Sequence, residues 1–460
     1  MGSYKFSVEP VVVATVKTTN REIRTAIPCP GTKALLAELE KVESRSMQGQ
    51  MPLIWERASG HQIYDRAGNK WIDFTSTIFV TNVGHANQVV CKALREVLEQ
   101  PLLHTYAYVN RYRIEYIKKL IEFGNGHFQK AFLLSSGTEA TEAAIKLMRL
   151  QGQKKNKRKN KIICIEGNWH GRTMGAQMLC NNEAQKAWLG FQDPNVHFLP
   201  FPYEWVLKGM EPEDFFLTSM RRLNGQGINP ATDICGFMLE TFQGWGAVFY
   251  PESYVQAIAQ FCKDNGILLV FDEMQAGFGR TGKNFGYQHY HVQPDLICCG
   301  KGMASGVPLS GVLGSAEIMD LPEVGNMSST HSANPLVCAA GLATLNELND
   351  KNLIPETARK GEVFLQRLLQ LQAKYPEHIA YVYGKGLLAA LLFRDPETGQ
   401  FDKEIGSILA EKCMQKGLLL VHTGRESIKL APPLTISDAA LLEGLSVLDD
   451  VCSEIFRYAD

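Results

Sequence analysis

Lysine is a costly residue to place at the end of an apolar run, because taking its ammonium out of water disfavours the charged form. Yet "LICCGKGMASGVPLSG" ends such a run in Lys301, between Gly300 and Gly302. "ILLVFDEMQAGFGRTGK" does the same with a carboxylate, Asp272, whose preceding residues are all apolar. A buried carboxylate needs a cationic partner. The two groups are 29 residues apart, a spacing that suits one strand–connection–strand unit. Both could then face one crevice at the strand ends, where open α/β sheets bind ligands. The plain arrangement is a direct Asp272–Lys301 ion pair. The chemical one is a lysine amine that condenses with an aldehyde, beside a carboxylate that pairs with a protonated ring nitrogen.

Two further stretches carry compatible chemistry. In "LLSSGTEATEAAIKLMRLQ", Ser136, Gly137 and Thr138 end an apolar run and open a helical pattern. Free backbone N–H groups and the positive helix end meet an anion at such a place, each charged hydrogen bond contributing roughly 1.5–3 kcal/mol. The plain alternative is a capping box, Ser136 with Glu139 three residues on. "EGNWHGRTMGA" puts Trp169 and His170 after another apolar run, where a flat ring could stack on a heterocycle or simply fill core. An amine, a carboxylate, an anion site and a flat ring are what pyridoxal phosphate requires.

The elements that must position these groups are readable from periodicity. Short apolar runs ("KAFLLSS", "KIICIEG", "VHFLPF", "ICGFMLET", "ILLVFDE", "PDLICCG") alternate with amphipathic stretches such as "PESYVQAIAQFCKDNG". That pattern predicts a mostly parallel sheet covered by helices. "GHQIYDRAGNKWIDFTST" reads as a hairpin turned at Ala67-Gly68-Asn69. "GKGLLAALLF" and "GLLLVHTGRESIKLAPPL" read as strands, with "KEIGSILAEKCMQKG" as a helix between them. The expected class is α/β: a large domain over 75–335, and a small α+β domain built from both chain ends, 1–74 and 336–460.

Composition excludes several alternatives. Of 460 residues 45% are apolar, enough for large cores, and 47 basic residues nearly balance 48 acidic ones. Near-neutral charge gives no electrostatic case for nucleic acid or a membrane surface. The basic run "KKNKRKNK" at 154–161 reads as a solvated loop. Eleven cysteines form no C-x-x-C pair, as expected of buried, reduced thiols in a cytoplasmic protein. No persuasive signal peptide and no stretch near the ~20 apolar residues of a membrane span is present.

Taken together, "SSGTEA", "WHGRT", "FDEMQAGFGRTG", "PDLICCGKGMASGVPLSG" and "THSANP" closely resemble the class III aminotransferases. These are pyridoxal-phosphate enzymes of fold type I. The resemblance runs from about residue 50 to 440. It implies that Lys301 is the Schiff-base lysine and Asp272 the partner of the pyridinium nitrogen. It assigns Gly137 and Thr138 to the phosphate, next to Ser136, and Trp169 to the face of the ring, with His170 beside it in the same motif. Gln275 falls near the cofactor's 3-hydroxyl, with Glu240 behind it. Thr330 would reach the phosphate of a neighbouring subunit, so the resemblance implies a homodimer, or a dimer of dimers, with shared active sites. The implied reaction is ping-pong transfer of an amino group from an amine or ω-amino compound to a keto acid, 2-oxoglutarate or pyruvate.

Two departures bear on the substrate. Many relatives carry a glutamate in "QGxGG" that pairs with an arginine before "PPL". Here "QGWGAV" has Trp245 and "SIKLAPPL" has Lys429. Lysine is a point charge and cannot offer a bidentate fork. Ile78, Arg172, Trp245, Arg425 and Lys429 are the candidate substrate residues, and Trp245 points to an apolar-walled or sugar-like pocket. Racemases, epimerases and lyases share the scaffold and stay open. "GFGRTGKN" nearly spells the phosphate loop of nucleotide hydrolases, with Asn284 where the Mg²⁺-binding hydroxyl should be. His289 and His291 lack an evident third ligand, and no metal site is expected.

Overall fold

The computed structural model describes residues 4–100 and 102–457. Their contacts define two units. The larger is Gln88–Gly244 with Val248–Ile354, and the smaller takes the remainder, including Trp245–Ala247.

The sheet of the larger unit has seven strands among the described residues. In chain order they are β1 (Lys130–Leu134), β2 (Lys161–Ile165), β3 (Val196–Leu199), β4 (Ile234–Glu240), β5 (Leu268–Asp272), β6 (Leu296–Cys299) and β7 (Ser310–Gly314). Their spatial order is β1-β7-β6-β5-β4-β2-β3. Every pairing is parallel except those of β7, which runs antiparallel to both β6 and β1. β1 therefore points the same way as the parallel strands, and six carboxyl ends share one edge. Strands covered on both faces read as continuous apolar runs, and β4, β5 and β6 are buried throughout. The helix Gly137–Lys155 lays Ala140, Ala144 and Leu147 into the core, with Ile162, Cys164, Val270 and Cys298.

The fold-class expectation holds: the protein is α/β with a mostly parallel sheet. The run 154–161 differs from a plain solvated loop. Lys159 is buried, its ammonium satisfied by the carbonyls of Ala231 (2.8 Å) and Asn265 (2.7 Å).

In the smaller unit, the hairpin of Gln62–Tyr64 and Lys70–Phe74 turns at Gly68, whose φ is +79°. Lys70–Phe74 then pairs in parallel with Leu418–His422, Leu418 opposite Ile72 and Leu420 opposite Phe74. Directly after this strand, Ser76, Thr77, Ile78 and Phe79 all have positive φ (46°, 51°, 63° and 67°). A left-handed turn costs non-glycine residues about 1–2 kcal/mol each, so it must be held from outside. Asp73 accepts the N–H groups of Thr75 (2.7 Å) and Ser76 (3.1 Å), Thr75 Oγ1 accepts that of Thr77 (3.0 Å), and Ser76 Oγ donates to the Ala431 carbonyl (2.6 Å). The turn buries Phe79 and leaves Ile78 exposed.

Candidate active site

The converging strand ends of the larger unit enclose a cavity of about 570 Å³, including its open mouth. Asp272 and Glu240 lie side by side as the last residues of β5 and β4, paired in register. Lys301 follows β6 by two residues, in a tight turn with φ +43°. Gly137 and Thr138 enter from the end of β1, and Trp169 and His170 from the loop after β2. All of these, with Gln275, line the cavity.

Asp272 is held on both oxygens. Its Oδ1 accepts the Met274 N–H (3.0 Å), and its Oδ2 meets His170 Nδ1 (2.8 Å). A carboxylate acceptor places the ring hydrogen on Nδ1, while His170 Nε2 is buried with no partner. Glu240 accepts the Trp169 N–H (3.1 Å) and the Gly244 N–H (3.4 Å) on Oε2, and its Oε1 accepts from Gln275 Nε2 (3.3 Å). One carboxylate thus ties the aromatic loop to the cavity floor. Burial pushes the Lys301 ammonium below the usual lysine range, against the opposing pull of Asp272 and Glu240. The adjacent Glu273 turns away from the cavity. It accepts from Thr241 Oγ1, Gly286 N and Tyr287 N, and burial pushes its carboxyl up to about 7.

At the helix start, Glu139 Oε2 accepts from Ser136 N (2.6 Å) and Ser136 Oγ (3.0 Å), so the capping box exists. It does not compete with an anion site. The next N–H groups, of Gly137 and Thr138, belong to the first helical residues, which have no intrahelical acceptor. A Cβ on Gly137 would stand 2.7 Å from Met274 Sδ, and one on Gly300 would stand 2.5 Å from the same sulfur, so a side chain at either position would displace Met274. Met274 wedges between the two glycines, joining the anion turn to the lysine turn. Nothing in its sequence context singled it out.

The remaining candidates sit elsewhere. Ser136 and Thr330 are exposed outside the cavity lining, and the Thr330 carbonyl accepts from His104 Nε2 (2.8 Å). Arg172 is exposed, its guanidinium 4.5 Å from the Trp169 ring centre. In the smaller unit, Arg425 lies 4.1 Å over the Trp245 ring and pairs with Glu426 (2.9 Å). Lys429 is buried with its Nζ 4.6 Å from the Phe79 ring centre. The near-phosphate-loop at Gly277 is a buried turn in which Phe278 stacks on Phe123, not an open anion cradle. His289 Nε2 meets the Thr281 carbonyl (3.1 Å). Among the described residues, no group of three or more His, Cys, Asp or Glu is placed to hold a metal.

A helix start whose first N–H groups have no intrahelical acceptor, a lysine with a depressed ammonium, a fixed carboxylate and an indole around one cavity fit pyridoxal phosphate. A mostly parallel sheet with these groups at its strand ends defines a fold type I pyridoxal-phosphate enzyme. The chain belongs to the class III aminotransferases, whose family model, "Aminotransferase class-III", matches residues 44–452. It is similar to a probable 4-aminobutyrate aminotransferase of Bacillus subtilis, 35% identical over 85% of this chain and 91% of that protein. Among solved structures it resembles an (S)-enantioselective ω-transaminase from Thermomicrobium roseum, with 30% identity, TM-score 0.82, and coverage of 91% of this chain and 98% of that one. It also resembles a PLP-bound amine transaminase from an uncultivated Pseudomonas species, with 25% identity, TM-score 0.81, and coverage of 90% and 97%. The protein is an aminotransferase, and its cofactor is pyridoxal phosphate.

Proposed function

We propose that Lys301 is the residue that carries the proton in transamination, and that the amino donor is a large or weakly charged amine. The observation that carries the first part is one cavity lined by both Lys301, its ammonium destabilised by burial, and Asp272, fixed on both oxygens. When bound, pyridoxal phosphate supplies an aldehyde that exchanges with the substrate amine and a ring that stores the electron pair released at the substrate carbon. Gly137 and Thr138 offer N–H groups to the phosphate, and Trp169 offers its indole to the ring. Asp272 holds the proton on the ring nitrogen. Lys301 Nζ, uncharged more readily than an ordinary lysine, would take a proton from the substrate carbon and return it two atoms away, on the carbon across the intervening nitrogen.

The donor reading rests on Trp245 and Arg425. A guanidinium over an indole leaves that aromatic surface where relatives have a carboxylate, and stacking uses the guanidinium face rather than its hydrogen-bonding edge. With 2-oxoglutarate or pyruvate as acceptor, a donor panel is expected to rank larger, less charged amines above 4-aminobutyrate and ornithine, by roughly tenfold. An enzyme that turns over 4-aminobutyrate as well as any other donor defeats this reading.

The protein is further proposed to act as a homodimer in a reducing, cytoplasmic compartment. Ten of its eleven free cysteines are buried, which supports the compartment. Among the described residues no helix is long and apolar enough to cross a membrane. Leu102, Leu103, Tyr108 and Val109 are exposed in the loop whose His104 meets the Thr330 carbonyl. An apolar surface of that kind marks an interaction site. A second copy would cover it and bring Thr330 to the partner's phosphate. Sedimentation is expected to give a dimer or tetramer, and a monomer that retains pyridoxal phosphate tightly would contradict the proposal.

A further inference from the structure

The loop that carries Trp169 and His170 runs on through Gly171, Arg172 and Thr173 into the short helix Met174–Met178. Its far end is held by Glu142, a residue on the helix Gly137–Lys155 that lies outside the cavity lining. Glu142 Oε1 accepts three hydrogen bonds: from Thr173 Oγ1 (2.6 Å), Gly175 N (2.9 Å) and Ala176 N (3.1 Å). The missing side chain of Gly175 makes the approach possible, since a Cβ there would overlap Glu142 Oε2.

A second contact links this junction to the cavity. Thr173 Oγ1 and Thr138 Oγ1 are 2.6 Å apart, and the Thr173 N–H returns to Thr138 Oγ1 at 3.3 Å. An ionised carboxylate only accepts. The Thr173 hydroxyl proton is therefore committed to Glu142, and the proton between the two threonines is Thr138's. Gly171, with φ +146°, permits the close approach, because a Cβ there would overlap Thr138 Oγ1. A threonine side chain in a helix divides between two rotamers. Two bonds on Oγ1 select one of them.

We propose that Glu142 is a positioning residue for the cofactor's phosphate: through Thr173 it fixes the Thr138 side chain, and with it the way the Gly137–Thr138 turn meets the anion. This rests on the reading of that turn as the phosphate site. Without Glu142, Thr173 and the start of the short helix lose the carboxylate that holds them, and the Thr138 side chain loses the fixed position of its partner. The ring side of the loop keeps its own anchors, the Trp169 N–H on Glu240 and His170 on Asp272.

Pyridoxal 5'-phosphate and pyridoxal share the ring and aldehyde and differ in the phosphate, so the ratio of their affinities isolates this effect. Both are titrated into the full chain freed of cofactor, followed by absorbance, with inorganic phosphate as a competitor. Glu142→Ala and Thr173→Val are each expected to lower the ratio about tenfold, the size of one charge-assisted hydrogen bond, with pyridoxal binding unchanged. Glu142→Gln keeps an accepting oxygen and should stay within about threefold of the unaltered protein. An unchanged or raised ratio in Glu142→Ala and Thr173→Val, or equal losses for both ligands, overturns the role given to Glu142. Thr138→Val keeps the backbone N–H and removes only Oγ1, so it separates the two layers: an unchanged ratio there overturns the role given to the Thr138 side chain, whereas inorganic phosphate that fails to compete with pyridoxal 5'-phosphate in the unaltered chain overturns the phosphate reading of the turn itself.

Discussion

Lys301→Ala is expected to abolish turnover, with a loss of at least about 10⁴-fold, the upper range for a positioned acid–base group. The side chain has no substitute in the cavity: the other lining groups that titrate there, Asp272, Glu240 and His170, are each committed to hydrogen bonds at 2.8–3.3 Å. Burial lowers the Lys301 ammonium, so at neutral pH a larger fraction is free amine than for an exposed lysine, as a proton acceptor requires. Its backbone sits at φ +43°, strain of order 1–3 kcal/mol that persists only where surroundings enforce it. The measurements are steady-state rates and borohydride reduction followed by peptide mapping. In the unaltered holoenzyme, reduction should fix the cofactor to Lys301. A reducible, lysine-linked chromophore in Lys301→Ala would overturn the assignment.

Asp272→Asn is expected to keep its cofactor and lose about 10³-fold in turnover. The amide oxygen can still accept the Met274 N–H, so the cavity retains its shape. What disappears is the negative charge that His170 Nδ1 orients at 2.8 Å. A neutral amide holds no proton on a ring nitrogen whose own basicity is modest, since the attraction that raised it is gone. Cofactor content by absorbance, set beside kcat, separates binding from chemistry. Near-normal turnover would sink the role given to Asp272.

The strand ends were legible because apolar runs stop where the sheet does: Asp272, Lys301 and Gly137 each follow such a run, and the topology brings the three runs to one edge. What local pattern could not show is contact across the sheet. His170 and Asp272 are 102 residues apart and meet because β2 and β5 both flank β4. Met274 matters through two glycines in different turns. The antiparallel β7, "SGVLG", has two glycines among its five residues and is too glycine-rich to announce itself. The left-handed turn at 76–79 contains neither glycine nor asparagine, the residue types that most readily signal positive φ.

The parallel pairing of Lys70–Phe74 with Leu418–His422 also has a consequence for biosynthesis. About 340 residues separate the two strands, so at about 5–20 residues per second the first waits roughly 17 to 70 s for the second to be made. During that interval Ile72 and Phe74, fully buried at the end, have no neighbour on that side. Domains fold as units during synthesis, and here the larger unit's segments are all translated inside the gap. The nascent chain therefore has reason to finish the cofactor-binding unit first, with the early strand left unpaired on that side until its late partner leaves the ribosome.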